Sequence, residues 1–267
     1  MQVRQRDSNP TALITGASSG IGAAFARQLA ARHYNLVLVA RRETRLRVLA
    51  AELDQRYQIT AEVLVADLAV SRDIEQVEKR ITNGQSIGML INNAGFGTFQ
   101  TFAEAEITEQ IDMLWVHVIA SVRLTRAALP GMIDRRTGSI INVSSLAAFI
   151  PTPRNVTYSA TKAYLRSFSE GLALELRGTG IKVQLLVPGF TATEFHDAKA
   201  YEGKEIKARV PRGLWMSADE VAAGSLKVLS QPRVLYVPGW RNRLMITLAR
   251  VGLGSALAKL FMAQFVE

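Results

Sequence analysis

The sequence predicts an α/β fold built on one parallel sheet with helices on both faces. Three observations predict it. Short apolar runs alternate with longer segments of helical period from residue 11 to about 238. The runs are apolar at nearly every position, as strands buried on both faces are. The first run ends in a glycine-rich turn that opens directly into a helical segment. No linker, low-complexity stretch or repeat divides the pattern. Residues 11–238 therefore read as one domain, with a polar arm at 1–10 and a basic, helical C-terminal extension at 239–267.

In order, the strand candidates are 12–15, 36–40, 61–66, 89–91, 139–143, 182–187 and 234–237. The helix candidates are 21–31, 43–56, 71–81, 109–133, 157–177 and 218–229. The first strand stops at Gly16, the third at Asp67, the fourth at Asn92-Asn93 and the sixth at Pro188-Gly189, all residue types that favour turns. In the extension, 244–251 and 255–265 read as short amphipathic or nearly apolar helices. Residues 247–266 match the length of a membrane span, about 20 residues. Arg250 and Lys259 interrupt that stretch and Gly252 and Gly254 break it, so a crossing is not expected.

Composition excludes several chemistries. The 267 residues include no cysteine, which removes disulfides, thiolate zinc sites, iron–sulfur clusters and a cysteine nucleophile. The histidines are His33, His117 and His196, so a multi-histidine metal site would need nearly all of them. At 48% hydrophobic and 21% charged residues the chain is not of the disordered class. The polar N-terminus has no apolar run at signal-peptide position, so a cytoplasmic protein is expected. Net charge is +9, and residues 199–267 carry eleven basic against five acidic residues. That basic quarter suits an anionic ligand, a membrane surface or plain solvation; no nucleic-acid recognition motif accompanies it.

The turn Gly16-Ala17-Ser18-Ser19-Gly20-Ile21-Gly22 allows close backbone approach to a phosphate, with free N–H groups of the following helix behind it. Its G-x-x-x-G-x-G spacing is neither the common dinucleotide fingerprint nor a P-loop. At the end of the second strand an acidic residue would bind a ribose 2′-hydroxyl. Arg41 and Arg42 stand there instead and suit a 2′-phosphate, which points to NADP(H). Tyr158 and Lys162, four residues apart on one helix, share a face. An ammonium beside a phenol favours the phenolate and makes it an acid–base catalyst. Ser145, thirteen residues upstream and just past the fifth strand, offers a hydroxyl to a substrate oxygen.

These residues stand in the order found in one family. TGASSGIG at 15–22, Asp67-Leu68, NNAG at 92–95, Ser145, YSATK at 158–162 and Pro188-Gly189 with Thr193 resemble the classical short-chain dehydrogenases/reductases across about residues 11–240. The resemblance implies a Rossmann-type, doubly wound sheet of seven parallel strands and hydride transfer between a nicotinamide and a carbonyl or alcohol carbon. It implies that Tyr158 donates or accepts the proton, that Lys162 holds the nicotinamide ribose, and that Ser145 orients the substrate oxygen. Asp67 and Leu68 would meet the adenine. Asn93, Ala94 and Gly95 would flank the adenosine side and central strand. Pro188, Gly189, Thr191 and Thr193 would line the nicotinamide and phosphates. Homodimers or homotetramers through the two long helices are implied too.

One position departs from the pattern. Where the family has an asparagine that shapes a helix bulge and holds a relay water, this chain has His117. A backbone role survives that change, and an imidazole can itself relay protons; a merely packed histidine is the alternative. On the substrate side, the loops after the fourth, fifth and sixth strands offer Phe96 and Phe99; Leu146, Phe149, Ile150, Pro151 and Pro153; and Phe190, Phe195 and His196, a largely apolar set suited to a hydrophobic substrate. Residues 199–212 carry five basic residues against two acidic ones and read as a lid or an anion-facing segment. For 240–267, subunit packing and peripheral membrane contact both remain open. The expectation is thus an NADP(H)-dependent oxidoreductase. The competing reading is a nucleotide sensor on the same fold without chemistry; the intact Ser145, Tyr158 and Lys162 set argues against it.

Overall fold

The computed structural model describes residues 9–197 and 210–253. Most of the 1–10 arm, the basic segment before Arg212, the 255–265 helix and the side chain of His196 lie outside the described residues.

Strands β1 (Thr11–Thr15), β2 (Asn35–Ala40), β3 (Ala61–Val65), β4 (Ile87–Asn92), β5 (Gly138–Val143) and β6 (Ile181–Leu186) alternate with helices α1 (Gly20–Ala30), α2 (Glu43–Tyr57), α3 (Ser71–Asn83), α4 (Ile107–Leu114), α5 (Ala120–Asp134) and α6 (Val156–Glu175). Two-residue strands β7 (Thr191–Ala192) and β8 (Met216–Ser217) pair with each other, and α7 (Ala218–Val228), β9 (Leu235–Tyr236) and α8 (Trp240–Leu248) follow. The main sheet has seven parallel strands in the order β3-β2-β1-β4-β5-β6-β9, a Rossmann-type arrangement.

The apolar runs explain the layers. Successive strand residues face opposite sides. Ile14, Leu36, Leu38, Ile91 and Ile141 pack with Phe25 and Leu29 of α1, Leu46 and Leu53 of α2 and Val221 of α7. Their neighbours Leu13, Val37, Val39, Leu90 and Ile140 pack on the other face with Ile74 and Val77 of α3, Leu124 and Ala128 of α5 and Leu172 of α6. Both faces are covered, so nearly every strand position is apolar.

The chain order reverses at β1, where β2 and β4 flank it on opposite sides. A crevice opens beyond the carboxyl ends of the strands at such a point. The long helix and the last strand differ from expectation. The helix expected at 109–133 is interrupted by a π-helical turn at Trp115–Ile119. The strand expected at 234–237 shortens to Leu235–Tyr236, because only those residues pair with β6. Helix α7 starts sharply at a capping box. Ser217 Oγ accepts from the Glu220 N–H at 3.1 Å, and the Glu220 carboxylate accepts from the Ser217 N–H at 2.8 Å.

Candidate active site

A cavity of about 990 Å³ lies over the carboxyl ends of β1 to β6. Gly16, Ser18, Ser19, Gly20 and Ile21 line it from the first turn, and Arg41 and Arg42 from the second. Asp67 and Leu68 follow β3, and Asn93, Ala94 and Gly95 follow β4. Ser145, Tyr158, Lys162, Pro188, Gly189, Thr191 and Thr193 complete the polar wall. The cavity therefore brings nearly all the sequence-derived candidates together, from turns up to 150 residues or more apart in the chain.

The glycine turn is held by β4. Thr15 Oγ1 accepts from the N–H groups of Asn93 and Ala94 at 2.9 and 3.0 Å, and the Asn93 amide donates to Thr15 O at 2.9 Å. Asn93 thus braces the turn, besides facing the cavity. Gly16 has φ +66°, and a Cβ there would lie 2.9 Å from the Ala94 Cα. Gly22 does not line the cavity. A Cβ at that position would run into the Gly16 carbonyl, so its role is to let α1 approach the turn.

At the β2 end, Arg42 donates to Ser18 Oγ at 2.9 Å and Ser19 Oγ at 2.6 Å. Its other terminal nitrogen reaches the Glu194 carboxylate at 2.8 Å, and Arg45 reaches the same carboxylate at 2.5 and 2.6 Å. Those two guanidinium groups hold the Glu194 pKa below its ordinary value. Arg41 lies 3.7 Å from Asp67 and is 70% exposed.

The other end is buried. Ser145 caps a short 3₁₀ turn, Leu146–Ala148, its Oγ accepting from the Ala147 N–H at 3.2 Å. Tyr158 and Lys162 sit one turn apart on α6. Burial pushes the Tyr158 phenol pKa up, and a hydrogen bond with Ser145 opposes that rise. Burial pushes Lys162 down to about 7. Its ammonium donates to Val143 O at 3.1 Å and lies 5.5 Å from the centre of the Tyr158 ring.

His117 stands one layer behind this wall and is completely buried. The Phe96 N–H donates to His117 Nε2 at 3.0 Å, which leaves the proton on Nδ1. Nδ1 then donates to Thr161 Oγ1 at 2.8 Å, and Thr161 donates to the Tyr158 carbonyl at 2.8 Å. Burial first, and the nearby Lys162 second, lower the His117 pKa well below 6.5. The imidazole is neutral, with both nitrogens engaged, and clamps the Gly95-Phe96 segment to the helix that carries Tyr158. The π-helical turn surrounds this residue, and its carbonyl accepts from Ser121 Oγ at 2.8 Å.

Phe96, Leu146, Phe190 and Phe195 form the apolar wall, joined by Phe99 and Ile150. The Phe195 ring lies 5.9 Å from that of Tyr158. Phe149 is a correction. The 3₁₀ turn rotates it away from the cavity, where it packs against the cluster of Leu165, Val187, Val237 and Ile246. The guanidinium groups of Arg166 and Arg250 lie 4.3 and 5.2 Å from its ring centre.

Helix α8 belongs to the same wall. Met245 lines the cavity, and the Asn242 amide packs so closely on Gly189 that a Cβ there would collide with it. Asn242 also donates to Pro238 O at 2.8 Å. The sequence patterns do not single out Asn242, Met245, Arg45 or Glu194; the Pro-Gly-Trp-Arg-Asn-Arg run at 238–243 is the nearest local signal, and it touches only Asn242. Among the described residues no acidic or histidine cluster suits a metal ion, and no helix is long and apolar enough to cross a membrane.

The polar wall fits a phosphorylated dinucleotide. It has a glycine cradle without room for side chains, a helix N-terminus with no acidic residue in its first turn, and cations at one end. The family described as short chain dehydrogenase matches residues 10–202. A very-long-chain 3-oxoacyl-CoA reductase of Phaeosphaeria nodorum is 40% identical over 178 residues, 65% of this chain and 52% of that protein. The human inactive hydroxysteroid dehydrogenase-like protein 1 is 35% identical over 184 residues, 68% of this chain and 56% of that protein. The chain thus matches little more than half the length of either relative. Two solved structures cover more. A short-chain dehydrogenase from Sphingobium yanoikuyae in complex with NADPH superposes with TM-score 0.81 at 35% identity, covering 94% of each chain. A bulky-bulky ketone specific alcohol dehydrogenase from Comamonas testosteroni gives 0.77 at 34% identity, covering 92% of this chain and 94% of that one. With the motifs, the sheet order and these likenesses in agreement, the chain belongs to the short-chain dehydrogenase family.

Proposed function

We propose that this protein is an NADP(H)-dependent oxidoreductase that interconverts a carbonyl and an alcohol on a hydrophobic substrate. The observation that carries the reading is the placement of Ser145, Tyr158 and Lys162 on one wall of a cavity whose far end presents Arg41 and Arg42. The NADPH complex of the Sphingobium neighbour supports the coenzyme. The apolar wall of Phe96, Phe190 and Phe195, with the bulky-ketone specificity of the Comamonas neighbour, supports the substrate class.

The coenzyme, when bound, supplies or accepts the hydride. The glycine turn and the α1 N-terminus would hold its phosphates, Arg42 its 2′-phosphate and Lys162 its ribose hydroxyls. In reduction the Tyr158 hydroxyl gives its proton to the substrate oxygen, and Ser145 donates a hydrogen bond to the same oxygen. A charged Lys162 beside the phenol lowers the cost of the phenolate left behind. The apolar wall excludes water and so strengthens each of these interactions.

NADPH is expected to raise the melting temperature well beyond NADH at equal concentration; an equal response to both rejects the coenzyme assignment. Tyr158→Phe is expected to lower kcat by about 10³-fold while NADPH affinity stays within about twofold. Full activity in that variant removes Tyr158 from its role. Tight NADPH binding with no turnover across aliphatic, aromatic, steroid and acyl carbonyls would favour the non-catalytic sensor, a reading kept open by the likeness to a relative described as inactive.

A further inference from the structure

The segment after β6 lines the cavity. Thr193 seats against the glycine turn, where a Cβ on Gly20 would lie 3.0 Å from its methyl group. Glu194, next in sequence, also lines the cavity, and its carboxylate sits between two guanidinium groups. Arg42 reaches one oxygen at 2.8 Å, and Arg45 reaches both at 2.5 and 2.6 Å. Arg42 also grips the hydroxyls of Ser18 and Ser19 in the phosphate turn. The geometry is that of an oxyanion held by a two-arginine fork at the end of a nucleotide cavity. The chain supplies that oxyanion from 149 residues beyond Arg45.

We propose that Glu194 is an internal counter-anion that competes with the 2′-phosphate of the coenzyme for Arg42 and Arg45, and thereby sets how strongly the chain prefers the phosphorylated form. The inference rests on the NADP(H) reading above and adds two residues to it. Arg45, one turn into α2, becomes a second phosphate-facing cation. Glu194 becomes a specificity-determining residue. A guanidinium cannot give the same N–H groups to a carboxylate and a phosphate at once. The dianionic phosphate wins that exchange, but part of its attraction goes into releasing Glu194. All three side chains are about half exposed, so the competition is modest and screened by salt.

Isothermal titration of the full chain with adenosine 2′,5′-bisphosphate and with 5′-AMP tests this without turnover. Wild type is expected to bind the bisphosphate more tightly. Glu194→Gln keeps size and removes the charge. It is expected to bind the bisphosphate about three- to tenfold more tightly and 5′-AMP within about twofold of wild type, with the gain shrinking as salt rises. Arg45→Ala is expected to weaken the bisphosphate alone. A bisphosphate affinity that is unchanged or weaker in Glu194→Gln overturns the role of Glu194 and leaves the NADP(H) reading standing. Equal affinity of wild type for the two nucleotides overturns both. Equal melting temperatures of the variants and wild type at pH 7 establish that folding is not what is being read.

Discussion

At the Tyr158 end of the cavity, Lys162 and His117 are buried, and burial is the largest influence on both. At the Arg42 end, Arg41, Arg42 and Arg45 keep 44 to 70% of their side-chain surface exposed and are held by carboxylates and hydroxyls. Taking a lysine out of water moves its pKa by several units, whereas charges left in water interact weakly and are screened. One end is built to change protonation state near neutral pH. The other is built to stay charged and to attract an anion.

Lys162→Met challenges that contrast most. Turnover is expected to fall by about 10²-fold or more, read as kcat. The coenzyme-free protein carries a second signature. Because the folded Lys162 pKa of about 7 lies below the ordinary lysine value of 10.5, the unfolded chain binds more protons between those values. This group therefore makes wild-type stability rise with pH across that window. The melting temperature of Lys162→Met relative to wild type is expected to decline from pH 7 toward pH 10; a constant difference refutes a depressed lysine.

Arg42→Ala addresses the exposed end. KM for NADPH is expected to rise about tenfold and KM for NADH to change little, with the difference shrinking in high salt. A change in kcat of the same size would mean that the two ends are not separate. His117→Asn gives the smallest effect. The folded imidazole resists protonation that the unfolded one accepts below about pH 6.5, so stability attributable to His117 is lost as pH falls below that value. Wild type is expected to lose about 1 kcal/mol more than His117→Asn between pH 6.5 and pH 5, measured by urea unfolding. Equal acid sensitivity would show that His117 is not held neutral.

The legibility of these features followed their range in sequence. Tyr158 and Lys162 are related by helix geometry, and the glycine turn by a strand ending where a helix begins, so both were readable. Phe149 was misplaced because a single 3₁₀ turn decides which of Phe149 and Ile150 faces the cavity, and three residues carry no periodic signal. Strands β7 and β8 escaped for the same reason, each being two residues long. The π-helical turn at Trp115–Ile119 leaves the apolar period of the long helix almost unchanged, so periodicity alone reads one continuous helix and only the family resemblance points to a bulge at His117. Glu194 and its arginines stand 149 to 152 residues apart, and Asn242 acquires its place in the wall from the distant Gly189, so no local pattern encodes these roles.

The alternating strands and helices, the parallel sheet, the phosphate turn and the Ser145, Tyr158 and Lys162 set follow from the order of residues along the chain. Each depends on residue type at fixed short spacing, through backbone geometry and burial of apolar faces. The tertiary structure alone decided that His117 clamps rather than faces the cavity, that α8 walls it, and that Glu194 occupies the arginine fork. Those outcomes depend on which side chains meet after distant segments pack, and on how much water that packing removes from each charged group.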